Sequence, residues 1–140
     1  MGFKIVTDCS GVDWQLVADS LKKVGMAYHE PEVHRRAFQN SHATVFVYDD
    51  VRLLGFGRAI SDDEYQGAIY DVAVLPNAQG RGIGKLIIKM IMDSLPNCNI
   101  ILYATPGMEG FYKKLGLRPM TTGMAVFTSP QAMEKFTKSE

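Results

Sequence analysis

Residues 68–85 read Ala68-Ile-Tyr-Asp-Val-Ala-Val-Leu-Pro-Asn-Ala-Gln-Gly-Arg-Gly-Ile-Gly-Lys85, and the next seven are Leu86-Ile-Ile-Lys-Met-Ile-Met92. The first eight are β-prone and Pro76-Asn77 stops them. From Ile83 onward, apolar residues recur at 83, 86, 87, 90 and 91, one face of an α-helix. A strand therefore delivers a glycine-rich turn into a helix start. Unpaired N–H groups and the positive end of the helix dipole can hold an anionic phosphate there. Gly80, Gly82 and Gly84 let the backbone approach such a ligand without a Cβ in the way.

The spacing separates three phosphate loops. A Walker loop needs glycine where Gln79 stands and a hydroxyl where Leu86 stands, so a magnesium–nucleotide site is not expected. A dinucleotide fingerprint needs glycine at the position of Lys85, and fails too. What fits is Gln/Arg-x-x-Gly-x-Gly/Ala after a Val-x-Pro, filled by Gln79-Gly-Arg-Gly-Ile-Gly84.

On these residues, Asp71 through Leu86, the chain resembles the GNAT superfamily of acetyl-CoA-dependent N-acetyltransferases. A second stretch, Gly110-Phe-Tyr-Lys-Lys-Leu-Gly-Leu117, resembles that family's Phe-Tyr-x-x-Leu-Gly-Phe signature, in the expected order and at the expected separation. The resemblance implies a single N-acetyltransferase domain over residues 1–140. It also implies an α/β fold whose mixed, mostly antiparallel central sheet carries helices on both faces, with strands splaying beside the cofactor. The wording of Tyr70-Asp-Val-Ala-Val-Leu-Pro76 and Gln79-Gly-Arg-Gly-Ile-Gly-Lys85 looks closest to small bacterial members and to a plastid-type branch linked to arylalkylamines and lysine.

Composition agrees with a packed, single-domain protein. The chain has 140 residues, 46% of them hydrophobic, enough for one substantial core. Fifteen basic and fifteen acidic residues cancel, so no basic footprint argues for nucleic acid. A local cluster, Arg81, Lys85 and Lys89, lies where an anionic cofactor would need it. Cys9 and Cys98 form no CxxC spacing, and His29, His34 and His42 do not stack on one helical face, so no metal site is expected. No signal peptide or membrane-length apolar run stands out, and a cytoplasmic protein with reduced thiols is expected.

The remaining elements follow from local chemistry. Phe3–Thr7 alternates as a strand. Asp13 caps a helix to about Val24, stopped by Gly25. Pro31 opens a second helix through Gln39, with Val33 and Phe38 turned inward. Residues 43–48 and 52–60 form a hairpin. Residues 99–104, almost all apolar, predict a central strand. Met108, Phe111, Tyr112 and Leu115 share a short helix ended by Gly116. Residues 117–120 and 123–128 predict a terminal hairpin, whose edge strands could build a homodimer. Ser129-Pro130 starts a last helix.

Acetyl transfer from a thioester to an amine needs a grip on the cofactor, a donor for the developing oxyanion, a base for the ammonium and an acid for the departing thiolate. Backbone N–H groups of Gly80, Arg81, Gly82, Ile83, Gly84 and Lys85, with Gln79 at the motif's start, supply the grip. Backbone groups of Val72 and Val74 can pair with the pantetheine arm as an added strand. The resemblance implies an oxyanion donor near Ala73–Val74 and a thiolate acid at Tyr112. From reference values of ~10 for a phenol and ~8.5 for a thiol, full proton transfer is uphill by about 2 kcal/mol, so a positioned hydrogen bond carries much of the benefit. Asp71, among apolar neighbours on the cofactor strand, needs a partner or a raised pKa: it is either the candidate base through water, or salt-bridged or bonded to a neighbouring loop. By alternation it shares a face with Ile69 and Ala73. Where many members carry an asparagine, this chain has Thr105, which can bond the arm weakly. Tyr28, His29 and Glu30, between the first two helices, are candidates for the acceptor site. No histidine in either motif activates a cysteine, so direct attack without an acyl-enzyme is expected. Two other readings stay open: a non-catalytic acyl-CoA sensor, and an acetyltransferase acting on protein lysines or N-termini.

Overall fold

A computed structural model describes residues 2–139, which divide into two compact units at residues 102 and 103. The first unit holds a five-stranded sheet in the order β1-β2-β3-β4-β5, formed by Lys4–Val6, Ala43–Asp49, Arg52–Ser61, Gln66–Val74 and Asn99–Ile101. The first three pairings are antiparallel and the last is parallel. The mixed, mostly antiparallel sheet of the sequence reading is thus present.

Helices α1 (Trp14–Lys23) and α2 (Pro31–Gln39) cover one face. As the sequence indicates, the Asp13 carboxylate accepts the Leu16 N–H at 3.2 Å and Pro31 opens α2. Val17, Leu21 and Phe38 pack on Phe46, Phe56 and Ala73 to form the core of this face. Trp14 joins it, its ring 5.4 Å from that of Phe38 and 6.1 Å from that of Phe46. One inward assignment changes. Val33 is exposed and His34 is buried, because positions 34 and 38, four apart, share a face and position 33 is rotated away from it.

Helix α3 (Ile83–Asp93) covers the other face. Ile83, Ile87 and Ile91 are buried as the periodicity requires, and Ile88 joins them, while Leu86 and Met90 sit at the margin. Each buried isoleucine contributes about 1.5–3 kcal/mol relative to an exposed one. The helix lies close because β3 has no side chains beneath it at Gly55 and Gly57. A Cβ on Gly57 would lie 2.8 Å from Ile87 Cγ2 and 3.1 Å from Val72 Cγ2.

Two strand expectations are corrected. The strand expected over 99–104 as a central element is β5, which ends at Ile101 and lies at the sheet edge. It meets β4 through three register pairs, Gln66↔Asn99 to Ala68↔Ile101, while β4 runs on to Val74. An apolar run can be read as central, yet Asn99 and Ile101 are exposed. In the second unit, residues 117–128 form no strand. Pro119 has no N–H to give a ladder, and residues 118–126 are all exposed, so no packing supports pairing. The edge strands suggested for a dimer are therefore absent from this segment. The second unit does carry the two expected helices, α4 (Glu109–Lys114) and α5 (Pro130–Phe136). Ser129 caps α5 through the Ala132 N–H at 3.1 Å, and Tyr103, Phe127 and Phe136 form an aromatic cluster with centroids 4.9–5.5 Å apart.

Candidate active site

β4 leads through a single 3₁₀ turn, Pro76–Ala78, to the glycine-rich segment and α3. Gly80 and Gly82 have φ of 82° and 79°, the left-handed region where a Cβ is costly, and a Cβ on either would meet nothing within 4 Å. The space above the loop is open. Gly82 is the N-cap of the eleven-residue α3 and supplies no side chain to it. The first N–H groups of the helix are thus available for an anion. Gln79, Gly80, Arg81, Gly82 and Lys85 are exposed; the Ile83 side chain is buried, so that residue can offer a ligand only its backbone. The Gln79 amide is occupied within the protein, donating to the Val74 carbonyl at 3.1 Å. The Arg81 guanidinium rests on the Phe3 ring, 5.0 Å from its centre. These features fit a pyrophosphate-bearing cofactor: donors converge at a helix start, glycines clear the approach, and cations flank it.

Upstream, β4 is not a regular strand. Phe56 pairs with Ala73 and Arg58 with Tyr70, so Asp71 and Val72 together oppose Gly57. This is a β-bulge, and Asp71 occupies it with φ of 57°. The extra residue resets the alternation. Ala73 packs with Phe56 on the α1/α2 face, whereas Ile69 pairs with Ala59, on the face shared by Gly55 and Gly57. The expected sharing of one face by Ile69, Asp71 and Ala73 is therefore corrected for Ile69. Val72 lies against the Gly57 position on the α3 side.

Asp71 is paired. Its Oδ2 accepts from Arg58 Nε at 2.7 Å, with the two side chains 22% and 15% exposed. The Arg58 guanidinium lies 5.6 Å from the Phe38 ring centre and 5.4 Å from that of Tyr70, and Nη1 donates to Ser41 Oγ at 3.2 Å. His34, 2% exposed, feels the charges of this pair. Burial pushes its pKa below the ordinary value; the Asp71 charge acts against this, while His29 and Arg58 add to it. Neutral His34 accepts the His29 N–H at Nε2, 2.8 Å away. The segment Tyr28-His29-Glu30 is thereby tied to α2, with all three side chains exposed and Lys22 Nζ 5.5 Å from the Tyr28 ring centre.

Arg58 and Ser41 escaped the sequence reading, and His34 entered it only as a histidine outside any metal site. Arg58 had left a signal: an arginine inside the apolar run Leu53-Leu-Gly-Phe-Gly-Arg-Ala-Ile60 needs a partner, and the next strand offers one carboxylate.

In the second unit, Tyr112 lies on α4 with its ring 5.0 Å from that of Phe111, edge to face. Its backbone carbonyl accepts from Leu115 and Leu117, closing the helix with Gly116 at φ of 96°. Burial pushes the phenol pKa up, so the group keeps its proton at neutral pH. Thr105 precedes this helix, its carbonyl accepting the Met108 N–H at 2.9 Å. Among the described residues, no group of three or more His, Cys, Asp or Glu could hold a metal, and no helix is long and apolar enough to cross a membrane.

Comparison with known proteins gives concordant results. The model of the acetyltransferase (GNAT) family matches residues 13–117. A chloroplastic serotonin N-acetyltransferase 2 of Oryza sativa subsp. japonica is 30% identical, over 95% of this chain and 72% of that protein. The uncharacterized N-acetyltransferase ycf52 of Pyropia yezoensis is 35% identical, over 77% of this chain and 59% of its own length. Among solved structures, a probable acetyltransferase of unknown function from meticillin-resistant Staphylococcus aureus superposes with a TM-score of 0.80 at 28% identity, covering 90% of this chain and 99% of the other.

Proposed function

The chain belongs to the GNAT acetyltransferase family, and from that premise we propose that it moves acetyl from acetyl-CoA to a primary amine of a small molecule or peptide by direct attack. The observation that carries this reading is the uncapped start of α3 beneath two left-handed glycines, a cradle built for a diphosphate. We take the two compact units together as one acetyltransferase domain, since the family match crosses the division between them.

Acetyl-CoA supplies the activated thioester. Backbone N–H groups of residues 80–85 hold its diphosphate, with Arg81, Lys85 and Lys89 adding charge. Backbone groups of Val72 and Val74 pair with the pantetheine arm, and Thr105 adds a weak bond to it. A backbone N–H at Ala73 or Val74 stabilises the developing oxyanion. Asp71 faces the incoming ammonium as its charge partner and accepts the ammonium's proton through water. Tyr112, protonated at neutral pH, donates to the departing sulfur. Tyr28, His29 and Glu30 line the approach of the acceptor. Among acceptors, arylalkylamines head the proposal, because the rice relative is named for serotonin.

A thiol-release assay with acetyl-CoA, run against serotonin, polyamines, free lysine and lysine peptides, tests the reading. Transfer to an amine supports it; coenzyme binding with no transfer to any acceptor would replace it with a sensor. Tyr112→Phe should lower kcat by about 10²-fold, the low end for general acid catalysis, with coenzyme affinity within about twofold of wild type. Unchanged turnover would remove Tyr112 from the mechanism.

A further inference from the structure

Asp71 occupies a position that a strand residue rarely takes. Its left-handed backbone lifts it out of the β4 ladder at the bulge. A carboxylate on such a bulge has nothing on its own strand to fix its rotamer. The fixing comes from β3. Arg58 Nε meets Oδ2 at 2.7 Å, and Oδ1 has no hydrogen-bond partner among the described residues. Arg58 is itself held from three sides. Two aromatic rings, Phe38 from α2 and Tyr70 from β4, lie 5.6 and 5.4 Å from the guanidinium carbon. Ser41, just past α2, accepts from Nη1 at 3.2 Å, and its own hydroxyl donates to the Ala37 carbonyl at 2.8 Å. A guanidinium immobilised this way holds its fork in one orientation before any ligand arrives.

We infer that Arg58 is a positioning residue: it locks one oxygen of Asp71 so that the other is presented, already oriented, to an acceptor bearing an alkylammonium. The inference rests on the acetyltransferase reading and deepens it, because it names the residue that orients the carboxylate facing the acceptor's ammonium. The arrangement also explains why an arginine stands in an otherwise apolar strand. Left alone its charge would be costly there; paired, it spends its Nε on Asp71 and leaves Oδ1 open. The acceptor segment is linked to this pair through His34, which feels the charges of Asp71 and Arg58 and holds the His29 N–H.

The test is a double-mutant cycle on the amine that wild type acetylates best. Asp71→Asn suits it, because asparagine also tolerates the left-handed region and leaves the bulge intact. Asp71→Asn and Arg58→Gln should each raise KM for the amine about tenfold or more, the scale of one charge-assisted hydrogen bond, with KM for acetyl-CoA within about twofold. The double variant should be no worse than Asp71→Asn alone, because Arg58 acts through Asp71. Arg58→Lys should recover part of the loss. Losses that multiply in the double variant, or that fall equally on both substrates, would make Arg58 a packing residue and overturn the inference. Should Arg58→Gln fail to fold, as read by circular dichroism, the same cycle with Arg58→Lys decides between these outcomes. Wild type that acetylates no amine would instead overturn the functional reading.

Discussion

Replacing Gly55 with alanine tests how tightly the cofactor helix is seated. The added Cβ would lie 2.9 Å from the Ala73 carbonyl oxygen, 3.1 Å from Ile83 Cγ2 and 3.2 Å from Ile87 Cδ1. The end of Ile87 can swing aside. The Ala73 oxygen is backbone in a paired strand, and Ile83 is β-branched and buried, so neither yields without moving β4 or α3. Overpacking of this kind costs about 1–3 kcal/mol. Loss of glycine freedom in the unfolded chain returns about 0.4–1 kcal/mol, leaving a net destabilisation of about 1–2 kcal/mol. Urea unfolding followed by the single tryptophan, Trp14, reads it directly, because that ring packs on the core of the same sheet. With a slope of about 1–3 kcal/mol per molar, the midpoint should fall by roughly 1 M. Ile87→Val, which removes the Cδ1, should restore part of the loss in the Gly55→Ala background and destabilise wild type. A Gly55→Ala protein as stable as wild type would refute the claim that the missing side chain is what admits α3.

Two further outcomes are expected. Gly82→Ala meets no neighbour but must hold φ of 79°, a cost of about 1–2 kcal/mol; calorimetry should show coenzyme A bound about tenfold more weakly, with Gly82→Asn milder. Unchanged affinity would deny the loop its left-handed shape in the complex. His34 has a folded-state pKa depressed by burial, so the unfolded chain binds the extra proton first as pH falls below about 6.5. Stability should thus be level above that pH and decline below it toward the folded value. Thermal melts between pH 7.5 and 5.5 should show the decline, and His34→Gln, which can still accept the His29 N–H, should flatten it.

The parts of this molecule legible in the sequence are those set by short-range chemistry. Asp13, Pro31, Gly116 and Ser129 each mark a helix end through one or two backbone groups, and each marks it where the structure has it. The glycine loop was legible for the same reason: strand, turn and helix start are consecutive. The bulge was not. No glycine announces it, since an aspartate takes the left-handed position, and one inserted residue reverses the side of everything before it. Ile69 was misplaced by that single step. Edge or centre is likewise a matter of which strands arrive later in the chain, and the apolar look of Asn99–Ala104 does not encode it. Residues 117–128 alternate well enough for a hairpin, but alternation without a packed face has nothing to hold it. Among the candidate residues, Asp71 was legible as a carboxylate needing a partner, whereas Arg58 became its partner only once the two strands were aligned.

The backbone at position 71 also dictates how this site can be engineered. Glutamate, the obvious carboxylate homologue, would preserve charge while forcing a poorly tolerated residue into a left-handed turn, and alanine would suffer the same distortion. Activity lost in either would mix geometry with chemistry. Glycine relaxes the geometry and discards the charge, asparagine discards the charge alone, and the contrast between them separates what the carboxylate does from what the kink does.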